Sequence, residues 1–80
     1  MTDSIREQTF GERAVGVTFN PSGLDAVGQC KSVVAALIDQ LNDMRELETA
    51  TPEQKRLASI AITEAQSAQM WAVKALTWQD

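Results

Sequence analysis

The chain has 80 residues and a formal net charge of −4 from seven basic and eleven acidic residues, with one cysteine, no histidine and no tyrosine. That balance excludes a dedicated duplex DNA or RNA binder, which needs a basic patch to displace phosphate counterions. One cysteine excludes an intrachain disulfide, and without histidine there is neither a Cys/His zinc site nor the commonest general acid or base.

No glycine-rich phosphate loop and no serine nucleophile motif is present, so no catalytic residue, metal or cofactor is expected. Eighty residues make one domain, and a chain this short buries only about 60% of the surface its unfolded form exposes. Below roughly 80 residues a single core seldom supplies more than about 3–5 kcal/mol. With disulfides and metals set aside, association with further copies is the expected source of extra stability. A lone thiol, a plain Met-Thr-Asp-Ser start and no long apolar run read as a protein of the reducing cytosol that meets no membrane.

In chain order, residues 1–18 form an N-terminal segment in which Ile5, Phe10, Val15 and Val17 leave room for a short helix and a brief extended stretch. Residues 19–78 form the main domain. Asn20-Pro21 reads as a helix N-cap followed by proline at the first helical position, where a missing N–H costs nothing. Phe19 and Leu24 then occupy the two positions of a hydrophobic staple. Ser22 is the alternative cap, so the helix is expected to start within Pro21–Leu24. Leu24, Val27, Cys30, Val34, Leu37, Ile38, Leu41 and Met44 recur at three and four residues, the spacing of an apolar helical stripe over roughly 23–46.

Thr51-Pro52-Glu53-Gln54 starts a second helix, with Thr as N-cap, Pro at the first position and Gln closing a capping box. Its stripe is Leu57, Ile60, Ala61, Ala65, Ala68, Trp71, Ala72 and Ala75, ending near Thr77-Trp78. Two long helices joined by a short connection favour antiparallel neighbours. The expected fold is therefore all-α, an antiparallel helical hairpin with a short N-terminal segment.

Residues at about 100° intervals place Lys31 at the edge of the first stripe, between Gly28 and Ala35. Its ammonium suits a phosphate in a shallow cleft, or else an ion pair with Glu64 across the hairpin. Arg56, Ser59, Thr63, Met70 and Lys74 share a face away from the core stripe, which is either solvated surface or a subunit contact with a polar pocket. Phe19 is either a staple or an aromatic platform for a base. Trp71 reads as core, Trp78 as a contact to a neighbouring subunit, and the acidic residues otherwise as solvated surface.

Three segments carry a resemblance: Thr18-Phe19-Asn20-Pro21-Ser22-Gly23; Lys31 with Ala36-Leu37-Ile38-Asp39; and Arg56-Leu57-Ala58-Ser59-Ile60-Ala61-Ile62-Thr63 leading to Met70-Trp71-Ala72-Val73-Lys74-Ala75. Together, over roughly 18–77, they resemble the phage hairpin-domain sponge proteins that blunt cyclic-oligonucleotide antiphage signalling, whose hairpin also occurs in the Thoeris anti-defence sponge. The resemblance implies a homohexamer that captures cyclic dinucleotides such as cyclic GMP-AMP without cleavage, and in several members cyclic trinucleotides, in the cytoplasm of the infected bacterium. By position it implies that Phe19 stacks on a base, that Asn20, Pro21 and Ser22 line the nucleotide, and that Lys31 meets a phosphate. Arg56, Ser59 and Thr63 would serve a second pocket. The chain departs from the family at Gln66-Ser67, where two acidic residues are usual. A rival expectation, from another class, is a structural or regulatory α-hairpin that binds a host protein through the Arg56–Lys74 face.

Overall fold

A computed structural model describes residues 7–80, and among these it contains three helices and no strand: α1 (Phe10–Val15), α2 (Asp25–Arg45) and α3 (Pro52–Thr77). The helical expectation holds, and the short helix foreseen in the N-terminal segment is α1. The brief extended stretch foreseen beside it is a turn and loop instead, and Ile5 lies outside the described residues.

Helix α1 is defined by its two ends. The Thr9 hydroxyl accepts from the Glu12 N–H at 3.0 Å while the Glu12 carboxylate accepts from the Thr9 N–H at 2.9 Å, a reciprocal capping box. Gly16 closes the helix in the left-handed region at φ 63°, with its own N–H on the Arg13 carbonyl and the Val17 N–H on the Glu12 carbonyl. That pair of bonds satisfies the last carbonyls of the turn, and a side chain at Gly16 would strain the backbone.

The start of α2 differs from expectation. Asn20 does not cap it and Pro21 is not its first residue; the helix begins at Asp25 after Leu24, with no side-chain cap. Asn-Pro-Ser-Gly is also the residue order of a β-turn, with Asn first, Pro second and Gly last, and the turn wins. The Gly23 N–H donates to the Asn20 carbonyl at 3.0 Å, and Gly23 has a φ of 69°. Because the cap frame is not realised, the staple is lost with it: Phe19 and Leu24 are both exposed.

The start of α3 is as expected. Thr51 accepts from Gln54 N–H at 3.1 Å, and the Gln54 side chain accepts from Thr51 N–H at 2.7 Å, with Pro52 behind the cap. The connection between Arg45 and Pro52 is short enough to return α3 alongside α2 as a hairpin.

The α2 stripe largely holds, with Val27 and Ile38 buried and Cys30, Val34, Leu41 and Met44 half-buried, whereas the buried line of α3 keeps Ala65 but is otherwise rotated from the expected stripe. On α2 the buried residues are Val27, Lys31, Ala35 and Ile38, while Leu24 and Leu37 are exposed. On α3 they are Ala58, Ile62, Ala65 and Gln69, while Leu57, Ile60 and Trp71 are exposed. Trp71 is therefore not a core residue. The physical reason is the closeness of the contact: small Ala35, Ala58 and Ala65 let the helix backbones approach, and larger apolar groups to the side of that line, Leu57, Ile60 and Trp71 among them, are left outside.

Val15 of α1 joins Ala35, Ile38, Ile62 and Ala65 in one cluster, with Ala14, Val17, Val34 and Leu41 packed against it. Ile38 and Val27 are the largest fully buried side chains, each worth about 1.5–3 kcal/mol of burial. Among the described residues, three of the seven buried apolar ones are alanines, so the core is thin.

Candidate functional site

The loop from Gly16 to Leu24 is tied down from inside α2. The Lys31 ammonium donates to the Gly16 carbonyl at 3.1 Å and to the Phe19 carbonyl, and its Nζ lies 5.3 Å from the Phe19 ring centroid. At 5% exposure Lys31 is buried, and a buried ammonium must be satisfied by acceptors. The loop carbonyls supply them. Glu64 lies exposed on α3, so the ion pair considered from sequence is not the partner. An ammonium has three donors, and two are committed to the loop.

The turn residues hold one another. The Asn20 side-chain amide donates to the Leu24 carbonyl at 3.0 Å, and the Ser22 hydroxyl donates to the Asn20 side-chain oxygen at 2.7 Å while accepting from the Leu24 N–H at 3.2 Å. Side chains read as helix caps therefore stiffen the turn that precedes the helix. Phe19 remains 68% exposed beside them.

A cleft of about 250 Å³ gathers Phe19, Asn20, Pro21, Ser22 and Lys31 with Val27, Val73 and Thr77. All five residues assigned to the first site from sequence thus line one concavity. Val73 and Thr77 come from the last turns of α3 and had not been singled out. An antiparallel hairpin brings the end of α3 beside the start of α2, so the signal was present in the topology rather than in any motif. The Thr77 hydroxyl donates back to the Val73 carbonyl at 2.8 Å, so it is occupied within the helix, and Val73 and Thr77 line the α3 side of the cleft. Asn20 also borders a larger, shallow cleft of about 580 Å³ formed with residues including Val17, Leu24, Gly28 and Val33. The larger volume carries less weight here, because it is open to solvent and contains only Asn20 of the expected set.

The residues of the expected second pocket share one line of α3 but do not form part of either cleft. Arg56 is held by Glu53 through two bonds, Nε to Oε1 at 3.0 Å and Nη2 to Oε2 at 2.7 Å. The guanidinium lowers the Glu53 carboxyl pKa from its ordinary value, and the carboxylate in turn raises that of Arg56. Both side chains are more than half exposed. Ser59 donates to the Lys55 carbonyl and accepts from Arg45 Nη1 at 3.1 Å, and the Thr63 hydroxyl donates to the Ser59 carbonyl at 3.3 Å. Arg45, which the sequence reading did not include, is therefore the second cation of this region. Gln66, at the departure from the acidic pair, donates to the Ala14 carbonyl at 3.4 Å and so braces α1.

No helix among the described residues is long and apolar enough to cross a membrane. The fold is an all-helical hairpin with a hydrogen-bonded turn and a small cleft beside a buried cation, and the chain can be placed more closely than that. It belongs to the Acb2/Tad1 hairpin-domain family, which matches residues 12–77 and comprises anti-CBASS and anti-Thoeris sponges rather than enzymes. The match takes in most of α1, the loop and both long helices. No curated protein and no solved structure matches the chain.

Proposed function

We propose that this protein sequesters cyclic dinucleotide second messengers of bacterial antiphage signalling, cyclic GMP-AMP among them, without cleaving them. The observation that carries the reading is the convergence of Phe19, Asn20, Pro21, Ser22 and Lys31 on one cleft in a chain of the sponge family. In this reading a base stacks on the exposed Phe19 ring, a contact worth about 1–3 kcal/mol in nucleic-acid cases. The third donor of Lys31 meets a phosphate, while the other two keep the loop in place. Val73 and Thr77 line the α3 side of the cleft.

The reading also requires further copies of the chain. Ligand sites usually enclose about 300–1,000 Å³, and a cleft of about 250 Å³ falls short of that range. A twofold contact between copies presents each loop twice to a pseudo-symmetric ligand. The exposed Leu57, Ile60, Met70, Trp71 and Trp78 offer apolar surface for such contacts, and a homohexamer is the assembly we assign. Arg56, Ser59 and Thr63, joined by Arg45, form the proposed second pocket for a cyclic trinucleotide, in which a phosphate displaces Glu53 from the Arg56 fork. Sequestration acts by mass action in the cytoplasm of the infected cell, so it needs tight binding and near-stoichiometric protein rather than turnover.

Titration calorimetry with cyclic GMP-AMP, followed by heat denaturation and chromatography of the released ligand, tests this. The expected result is saturable binding with intact nucleotide recovered; absence of binding, or recovery of linear products, contradicts it. A second reading, an α-hairpin that binds a host protein through the Arg56–Lys74 face, is favoured by the exposure of Met70 and Trp71 on that side, at 63% and 66%. It predicts a stable complex from host lysate that forms without nucleotide and is lost in Trp71→Ala.

A further inference from the structure

We propose that Asp39 and Gly11 are positioning residues for the ligand loop, an inference that rests on the loop's role in nucleotide binding. Neither lines the cleft. They act by pinning the far end of the segment that carries it.

The Gly11 N–H donates to Asp39 Oδ1 at 2.7 Å. It is one of the first-turn donors of α1 that have no acceptor within the helix, and a carboxylate partner makes the bond charge-assisted. The two backbones meet here: a Cβ at Gly11 would lie 2.1 Å from the Ala35 carbonyl oxygen and 2.9 Å from Asp39 Oδ1. Only glycine fits, so α1 can rest on α2 at this point in one register.

Lys31 lies eight residues before Asp39 on α2, roughly 12 Å along the axis. It holds the Gly16 and Phe19 carbonyls. Helix α2 therefore grips the segment from Gly11 to Phe19 at two places, Asp39 at one end and Lys31 at the other, with the rigid turn of α1 between. The Thr9–Glu12 capping box fixes where α1 begins, and Gly16 fixes where it stops. With both ends held, the Phe19 carbonyl and ring stay at the ammonium. Val15 in the core and Gln66 at the Ala14 carbonyl still hold the last turn of α1, so release of the Asp39 end frees its first turn, and the loop geometry loosens with it.

The test compares the full chain with Asp39→Ala and Asp39→Asn, by hydrogen exchange and by titration with cyclic GMP-AMP. Asparagine keeps an acceptor oxygen, and alanine keeps none. In Asp39→Ala the Gly16, Phe19 and Gly23 amides should exchange about tenfold faster while Ile62 and Ala65 of α3 keep their protection. Nucleotide affinity should fall about tenfold, with Asp39→Asn restoring most of both. Unchanged loop exchange in Asp39→Ala overturns the proposal, and so does an equal loss of protection across α2 and α3, which would mark general destabilisation. If the unsubstituted chain binds no cyclic GMP-AMP, the nucleotide reading fails by itself, and loop exchange still decides the pin: faster exchange confined to the loop supports it, unchanged exchange removes it.

Discussion

The Lys31 ammonium meets Phe19 twice, as a donor to its carbonyl and at 5.3 Å from the centroid of its ring. One residue thus sets both the backbone and the aromatic surface of the loop. A cation near one part of the ring, with 68% of the residue still exposed, leaves a stacking surface in a fixed orientation. Lys31 is consequently a structural residue as well as a proposed ligand contact, and substitutions there should change both properties.

Lys31→Met keeps most of the buried stem and removes the charge, leaving the Phe19 carbonyl without the ammonium. Loss of such a buried partner costs about 1–3 kcal/mol, and a domain of this size shifts by roughly 4–8 °C per kcal/mol. Thermal unfolding should therefore show a lower Tm, and titration calorimetry a weaker or absent nucleotide isotherm. An unchanged Tm would mean that the two carbonyl contacts do not hold the loop.

Gly11→Ala should destabilise the chain by about 1–3 kcal/mol, the usual cost of forcing a methyl group into a filled space. The Ala35 carbonyl is backbone, so it cannot swing away as a side chain would. Urea unfolding should give a lower midpoint with an unchanged slope. A wild-type midpoint would show that α1 does not rest on α2 as described.

The Glu53–Arg56 pair carries a pH dependence of known sign. The Glu53 pKa is lowered from its ordinary 4.5 by Arg56, so the pair's contribution is in place above 4.5 and is lost as pH falls through the lower folded value. The Arg56 pKa is raised, so its side of the pair persists to strongly alkaline pH. Side-chain carbon shifts of Glu53 should titrate with a midpoint below 4.5, returning to about 4.5 in Arg56→Ala. Equal midpoints in the two proteins would remove the pair. Both groups are exposed, and the effect on overall stability is small.

The boundaries of the fold were legible where local chemistry acted alone. Thr51-Pro52-x-Gln54 specified the start of α3 because its cap bonds need nothing beyond four residues. Thr9-x-x-Glu12 holds the same signal for α1, but the apolar pattern flanking it is too weak to mark a helix by itself. Asn20-Pro21 misled because cap and turn use the same residue types; Gly23, suited to a closing turn position, was the deciding residue. On α2, Val27 and Ile38 are buried as the stripe predicts; on α3 the stripe is misplaced because reading by size favours Leu57, Ile60 and Trp71, whereas close helix contact favours Ala58 beside the expected Ala65. Asp39 looked like solvated surface, and its bond to Gly11 joins residues too far apart in sequence for any pattern to show. The residues of the proposed first site came as a set from the family resemblance, and the fold gathers them in one cleft; Val73 and Thr77 needed the hairpin to bring the chain ends together.

Trp71 provides a test of assembly. At 66% exposure in the single chain, its replacement by alanine should change subunit stability by less than about 0.5 kcal/mol. If copies bury it against one another, sedimentation velocity should show a smaller particle for Trp71→Ala than for the unsubstituted chain. Identical sedimentation coefficients would place Trp71 in solvent in the assembled state as well.

Native mass spectrometry of the purified chain, mixed with a panel of cyclic di- and trinucleotides, tests the central claim most directly because it reports subunit number, ligand number and ligand mass together. The account predicts a homohexamer carrying intact cyclic dinucleotides, with Phe19→Ala stripping the ligand but not the assembly. A folded single subunit that carries no nucleotide at micromolar concentrations would contradict it.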